Sequence, residues 1–422
     1  MVLLILFGAF TVAGVLVFAL FVGNGSSATI SPVTVWGTLD EGAFQDLVRR
    51  QAENHGQLAS LTYVQKDPET YERALTNALA NGEGPDLFIL RQDQVIRNAG
   101  KTFVIPFDMY PRDQFENTFV EAAKPFYTPL GVVGIPLVAD PLVLYWNKDL
   151  LAAAGFAQAP KYWDELFNIS QKITIKDDSG TIKRSAVAMG EYKNVTNAKD
   201  LLATLILQAG GTITARDSAG TLISALGRDE GNASPTVSAL RYYSDFADSS
   251  KEIYTWNRSL PDAARAFGSG DLALYVGYAS EESVIRGSNS NLNYAVAPLP
   301  QIRSGAPMTV ARVYGVAVSR TGKNVNNAIT AAFLLASSDS ATTLSSGLGI
   351  SSARRDLVSI SSGGNAELYN KQVIIARSWM DPDPEGTAEV FRGMIENTTS
   401  GLLLINEAVK RADQELSQVL SI

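Results

Sequence analysis

The stretch Gly134-Ile-Pro-Leu-Val-Ala-Asp-Pro-Leu-Val-Leu-Tyr-Trp-Asn-Lys-Asp-Leu-Leu151, continued by Ala159-Pro-Lys-Tyr-Trp-Asp-Glu-Leu166, decides the reading of the fold. Pro136 opens an extended apolar segment, a second strand is expected to end at Asn147, and a helix begins near Asp149. One carboxylate, Asp140, stands among apolar neighbours. A lone buried charge is costly, so Asp140 is either paired inside the protein or points into a wet cleft.

Upstream of this stretch the pattern alternates. Val33-Thr-Val-Trp-Gly-Thr38 reads as a short buried strand, and Asp40 to Gln51 as a helix with Phe44, Leu47 and Val48 on one face. Leu61-Thr-Tyr-Val64 is the next strand, Pro68 to Asn81 a helix by the spacing of Tyr71, Leu75 and Leu79, and Asp86-Leu-Phe-Ile-Leu90 a further strand. Such alternation predicts a mostly parallel sheet, whose ligands bind beyond the strand C-terminal ends. Downstream, helices are expected over Lys199 to Ala209, Thr236 to Ala247 and Val325 to Ser337. Ala264 to Val276 reads as helix, turn and strand, and Tyr294 to Ala297 and Thr309 to Val318 as a strand pair. Ala388 to Ile422 reads as two helices split at Ser400-Gly401, and Gly287-Ser-Asn-Ser-Asn291 as a polar loop. No internal repeat is found.

The chain has 422 residues, enough for two core-bearing lobes. Its net charge of -8 and lack of a Lys/Arg cluster argue against a nucleic-acid partner, because phosphate neutralisation needs a basic face. There is no cysteine and a single histidine, His55, which leaves no thiol catalysis or disulfide and few zinc or copper sites. His55 reads as the polar end of a helix closed by Gly56. No cofactor or metal is expected. Tyr242-Tyr243 resembles a tyrosine iron-ligand pair, but at helical spacing one ring faces the core, so packing is preferred. Met1 to Val22 is an uncharged apolar run long enough to cross a bilayer and longer than the usual core of a cleavable signal. Residues 1–28 are therefore expected to be an uncleaved transmembrane anchor, with a signal cut near Ser26-Ser-Ala28 as the alternative.

Taken in order, Val35-Trp36, Gly84-Pro-Asp86, Gly134-Ile-Pro136, Asn147-Lys-Asp-Leu-Leu151, Trp163-Asp-Glu-Leu166, Gly210-Gly211, Phe267-Gly-Ser-Gly270, Ala297-Pro-Leu-Pro300 and Gly315-Val-Ala-Val318 resemble the extracellular solute-binding proteins of ABC importers, in particular the maltose and oligosaccharide-binding group. The resemblance covers nearly the whole chain after Pro32. It implies an α/β, two-lobed periplasmic-binding-protein-like fold with hinge crossovers and an interlobe ligand cleft, behind the N-terminal hydrophobic segment. By analogy one lobe holds 33–138 plus 314–360, and the other 139–312 plus 361–422. It further implies a non-catalytic, extracytoplasmic, monomeric body that binds a small solute, a carbohydrate by preference, and delivers it to membrane permease subunits.

Sugar recognition needs flat aromatic faces and groups that hydrogen-bond hydroxyls. Trp36, Thr38, Asp40 and Glu41 follow the first strand, where a parallel sheet presents a loop to ligand; Trp36 could equally be a core residue, and Asp40 a helix N-cap. By the resemblance, Asp93 takes the place of a sugar-contacting aspartate and Asp140 that of a crossover glutamate, the alternatives being a cap and a paired hinge carboxylate. Tyr278 stands where related proteins put a stacking aromatic. Arg312 and Tyr314 sit in a later crossover, where an arginine could clamp a polar ligand. Trp379 is a candidate cleft wall or the cover of a helix start, while Trp163 and Trp256 are assigned to packing. The competing readings are a different polar or cationic solute drawn by Asp40, Glu41, Asp93 and Asp140, a surface sensor or adhesin on the same fold, and an exported carbohydrate-active enzyme.

Overall fold

The computed structural model describes residues 32–421 except 57, 229–233, 304 and 361–362. The apolar run Met1–Val22, and the anchor or signal reading placed on it, lie outside the described residues, as does the side chain of His55. Among the described residues no helix is long and apolar enough to cross a membrane.

Strands β1 (Val33–Gly37), β2 (Leu61–Gln65) and β3 (Leu87–Arg91) are parallel, with β1 in the middle. They are connected through α1 (Glu41–His55) and α2 (Tyr71–Ala80), as the alternating pattern predicts. α1 begins where Asp40 accepts the backbone N–H of Ala43 at 2.9 Å. It ends at His55 because Gly56 takes a left-handed conformation, φ 65°, and donates to Ala52.

The decisive stretch forms one strand, not two. β4 (Ile135–Asn147) is 13 residues long and buried throughout except for half-buried Trp146. Pro141 does not break it, because Pro141 lies where the strand changes partners. Ile135 to Pro141 pair with one neighbour and Leu142 to Trp146 with another, so a residue without an N–H is tolerated at the handover. Asn147 then caps the following helix, Lys148–Ala153, by accepting from the N–H groups of Asp149 and Leu150 at 3.0 Å. The partners of β4 include β6 (Leu272–Tyr278), β7 (Tyr294–Ala297) and β8 (Thr309–Val318), and β5 (Ile182–Val187) pairs with β6. The sheet runs β2-β1-β3-β8-β4-β6-β5 and ends in the short strand Ile175–Lys176, with β7 also on β4. Two motif glycines keep β4 and β8 close to a third element. A Cβ at Gly134 or at Gly315 would come within 2.8 Å of the Phe126 ring.

Two hydrophobic clusters divide this sheet. One contains Val35, Phe44, Phe88, Val138, Ala139, Ala311 and Val316. The other contains Leu142, Tyr145, Leu202, Tyr243, Phe267, Tyr278, Val310 and Phe391. The changeover thus falls at Asp140-Pro141 on β4 and between Val310 and Ala311 on β8, the geometry of a two-lobed α/β fold. The second cluster is covered by α3 (Ala198–Gln208), α4 (Pro384–Thr399) and α5 (Ile405–Val419). α4 starts four residues earlier than its apolar period suggests, because Asp383 accepts the N–H of Gly386 at 3.2 Å and Pro384 opens the first turn. Helices Ser338–Leu348 and Gly364–Ile375 have no counterpart in the sequence reading. Arg286 and Ser288 belong to helix Glu282–Ser288, so the polar loop starts later than expected, at Asn289.

Trp163 and Trp256 are packing residues, 4% and 1% exposed, with indole N–H groups held by Gln208 and Asn194. Tyr242 and Tyr243 donate their hydroxyls to the carbonyls of Trp163 and Glu191.

Candidate functional site

A cavity of about 460 Å³ opens where the two clusters meet. Each wall comes from a different part of the chain. Arg91 ends β3 and Gln92 and Asp93 follow it, residues 192–200 form a loop and the first turn of α3, Tyr278 ends β6, Val310 to Arg312 belong to β8, and Arg377 to Asp381 precede α4.

Arg312 is the centre of this arrangement. Its guanidinium lies 3.7 Å from the Tyr278 ring centroid and donates to Asp200 at 3.1 Å and to Asn197 at 3.4 Å. Asn197 in turn donates to Glu281 at 2.9 Å, which also accepts the backbone N–H of Tyr278 at 3.0 Å. A continuous polar chain therefore fixes the start of α3 to the end of β6. Burial alone would push the Asp200 carboxyl up, but Arg312 and Lys199 outweigh it and hold Asp200 below the usual range. The opposite wall is fixed locally. Arg91 grips Asp93 through two hydrogen bonds, 3.0 and 2.7 Å, and Gln92 accepts the N–H of Val313 at 2.7 Å.

The third wall is built on a buried pair. Asp381, 2% exposed, accepts from Lys199 at 2.7 Å and from Thr387 at 2.9 Å, and burial lifts its pKa to about 6 against the pull of Lys199. Trp379 lies over this pair, its ring centroid 5.4 Å from the Lys199 ammonium and 6.3 Å from Phe391 in a stacked pose. Ties also cross the cavity rim. Arg97 reaches Asp383 at 2.8 Å and Glu385 at 3.2 Å, and Ser378 donates to the carbonyl of Ala122 at 2.8 Å.

Of the residues selected from sequence, Asp93, Tyr278, Arg312 and Trp379 line the cavity together. The others do not, each for an identifiable reason. Asp40 is the α1 cap, and Glu41 is exposed and accepts from Gln45 at 3.1 Å. The face of Trp36 is covered by the Lys66 ammonium, 3.7 Å from the ring centroid, with half-buried Thr38 beyond it on the chain. Tyr314 sits within the sheet, between Arg91 of β3 and Val138 of β4. Asp140 is 1% exposed, accepts the N–H of Ser280 at 3.0 Å and has its pKa raised to about 6 by burial, eased by Ser280 and Arg312. It is a junction carboxylate behind Arg312. Asn197, Lys199, Asp200 and Arg377 line the cavity and were not singled out from sequence. The one available signal was the polar loop ahead of a strong apolar helix.

A second cavity, also about 460 Å³, lies beside Ser351 and Ser352 on the other edge of β4. Its single carboxylate, Glu282, is already engaged by Tyr369, Asn365 and Arg286. Among the described residues no group of acidic and histidine side chains is placed to hold a metal ion.

Two α/β lobes on shared strands, with a polar and aromatic cavity at their junction, define the solute-binding class of fold. The family model for bacterial extracellular solute-binding proteins matches residues 37–340, and the chain belongs to that family. A putative binding protein of Brucella abortus is 26% identical over 283 residues, 66% of this chain. The match takes in 64% of that relative, so the chain spans a little under two thirds of its length. Among solved structures, the cyclic α-maltosyl-1,6-maltose binding protein of Arthrobacter globiformis aligns with a TM-score of 0.75 at 19% identity, over 92% of this chain and 98% of that one. A cyclo/maltodextrin-binding protein complexed with maltotetraose aligns with a TM-score of 0.73 at 18% identity, over 93% and 98%. At these identities the structural matches establish the fold.

Proposed function

We propose that the protein is the extracytoplasmic solute-binding component of an ABC importer, taking a sugar or oligosaccharide in the cavity beside Arg312 and delivering it to membrane permease subunits. The observation that carries this reading is the composition of the cavity wall. Tyr192 and Trp379 supply flat faces, and Asp93, Asn197, Lys199 and Arg312 supply hydrogen-bonding groups, the combination a pyranose ring with its hydroxyls requires, while the face of Tyr278, 2% exposed, is taken by Arg312. The names of the structural neighbours, which are for maltodextrins and a cyclic maltosyl-maltose, support the same ligand class. In this reading 33–138 with 314–360 and 139–312 with 361–422 are the two lobes, and closure turns on the β4 and β8 crossings at Asp140 and Arg312. Asp93, Arg312 and Trp379 touch the solute, Tyr278 and Asp140 stand behind Arg312, and Trp36, Thr38, Asp40, Glu41 and Tyr314 stand outside the cavity lining.

Binding proceeds without turnover, in a monomeric body held outside the membrane by Met1–Val22. A sugar library screened by thermal shift on the full-length protein, with products assayed in parallel, tests this. One class of soluble sugar should raise the melting temperature by mass action. Release of new reducing ends at enzymatic rates would replace the reading with an enzyme. N-terminal sequencing of the native protein tests the anchor, and a mature chain starting near Thr29 would make the segment a cleaved signal.

A further inference from the structure

We infer that the solute taken by this cavity is an acidic sugar, a carbohydrate bearing a carboxylate or a phosphate. The inference rests on reading the cavity as the solute cleft and goes beyond it in naming the charge. Of the four carboxylates that line the cavity, three are paired with a cation and the fourth, Asp262, is held by neutral donors. Asp93 is gripped by Arg91 at 2.7 Å, Asp200 by Arg312 at 3.1 Å and Asp381 by Lys199 at 2.7 Å. Asp262 accepts the backbone N–H of Ala264 at 3.0 Å and the Thr196 hydroxyl at 3.1 Å. These acids have little capacity left for a cation.

The cations on the same wall are in excess. Lys193 has no hydrogen bond or ion pair among the described residues, and Arg377 donates only to the carbonyl of Ala376, at 3.0 Å. A guanidinium offers five N–H donors in a planar fork that fits carboxylate and phosphate oxygens. Both side chains are exposed and approach the cavity from separate segments, Lys193 ahead of α3 and Arg377 two residues before Trp379. This local surplus of positive charge occurs in a chain whose net charge is -8. An anion is therefore repelled by most of the surface and attracted at this concavity, where low-dielectric walls strengthen the field. A neutral sugar would leave the Lys193 and Arg377 charges unused, and a cationic solute would meet both of them.

Calorimetric titration of the full-length protein against matched sets tests the inference, each set being a neutral hexose or disaccharide, its uronate and its phosphate ester of the same stereochemistry. One acidic member should bind at least about tenfold more tightly than its neutral counterpart, the scale of one charge-assisted hydrogen bond. Its affinity should weaken as salt is raised. Arg377→Gln and Lys193→Gln should each remove most of that preference. Preference for the uronate or for the phosphate ester identifies which acid is the source. Neutral members binding as tightly as acidic ones, or a preference that survives both substitutions, would overturn the inference and leave sugar binding standing. No binding by any member would overturn both.

Discussion

Two loops follow neighbouring parallel strands and have similar chemistry, yet only one reaches the cavity. Trp36 near the end of β1 is followed by Thr38, Asp40 and Glu41, and after β3 come Gln92 and Asp93. The first group is spent on the fold: Asp40 caps a helix and Trp36 lies under Lys66. The second group lines the cavity. What separates them is strand order. β3 is hydrogen-bonded to the crossing strand β8, with Arg91 opposite Tyr314, whereas β1 is one place further out. In an open α/β sheet the strand order switches beside a crevice, so adjacency to the crossing strand selects the loop that reaches the cavity.

The strongest way to break this comparison is to remove the residue at the switch itself. Arg312→Ala should lower solute affinity by about a hundredfold, because it deletes a charge-assisted donor and releases Asp200 and Asn197 from one another. It should also cost about 2 kcal/mol of stability, since Asp200 is left partly buried without its cation. Titration calorimetry and urea denaturation measure the two effects. Retained affinity would move the site away from the crossing strands.

A paired experiment sharpens the contrast between the loops. Asp93→Ala should weaken binding about tenfold with little change in melting temperature, since its bond to Arg91 is local and partly solvated. Asp40→Ala should do the reverse, losing roughly 1 kcal/mol of stability with its N-cap and keeping the affinity. If Asp40→Ala instead impaired binding at unchanged stability, the loop after β1 would be a binding loop and strand adjacency would not be the rule.

The sequence disclosed the elements better than their order. Periodicity located β1, β3, β6 and β8 to within a residue or two, because their apolar runs are bounded by Gly, Pro and Asp. It could not reveal that β4 passes through the junction unbroken, since Pro141 in isolation signals a stop and only the change of partner explains its tolerance. Ser338–Leu348 was invisible because its serines and threonines favour turns, and burial of Ala341 and Leu344 overrides that preference. The cavity was legible where an aromatic ended a strand, as at Tyr278, or an acid closely followed one, as at Asp93. It was not legible at Asn197 and Asp200, whose partners are far away in the chain, nor at Arg377, whose local sequence is ordinary.

Only a small effect on binding is expected at Asp140, and its signature should be on stability against pH. Burial raises the carboxyl's pKa from 3.8 to about 6, against the pull of the Ser280 donors and of Arg312 and with a further push from Glu281. An acid whose pKa is higher in the folded state stabilises the fold while protonated. That contribution is complete below about pH 4 and is lost as pH rises through about 6. Asp140→Asn keeps an oxygen acceptor for Ser280 and removes the charge. Its unfolding free energy should therefore gain on that of the native protein between pH 4 and pH 7, by up to about 3 kcal/mol for a shift of about two units. Asp381 has a similarly raised pKa but is common to both proteins and cancels in the difference. Affinity should change less than about threefold, under ~0.7 kcal/mol. Thermal and urea unfolding of both proteins across this range is the measurement. Parallel stability profiles would mean that Arg312 neutralises Asp140 fully, and a large loss of affinity would put the carboxylate in the cleft after all.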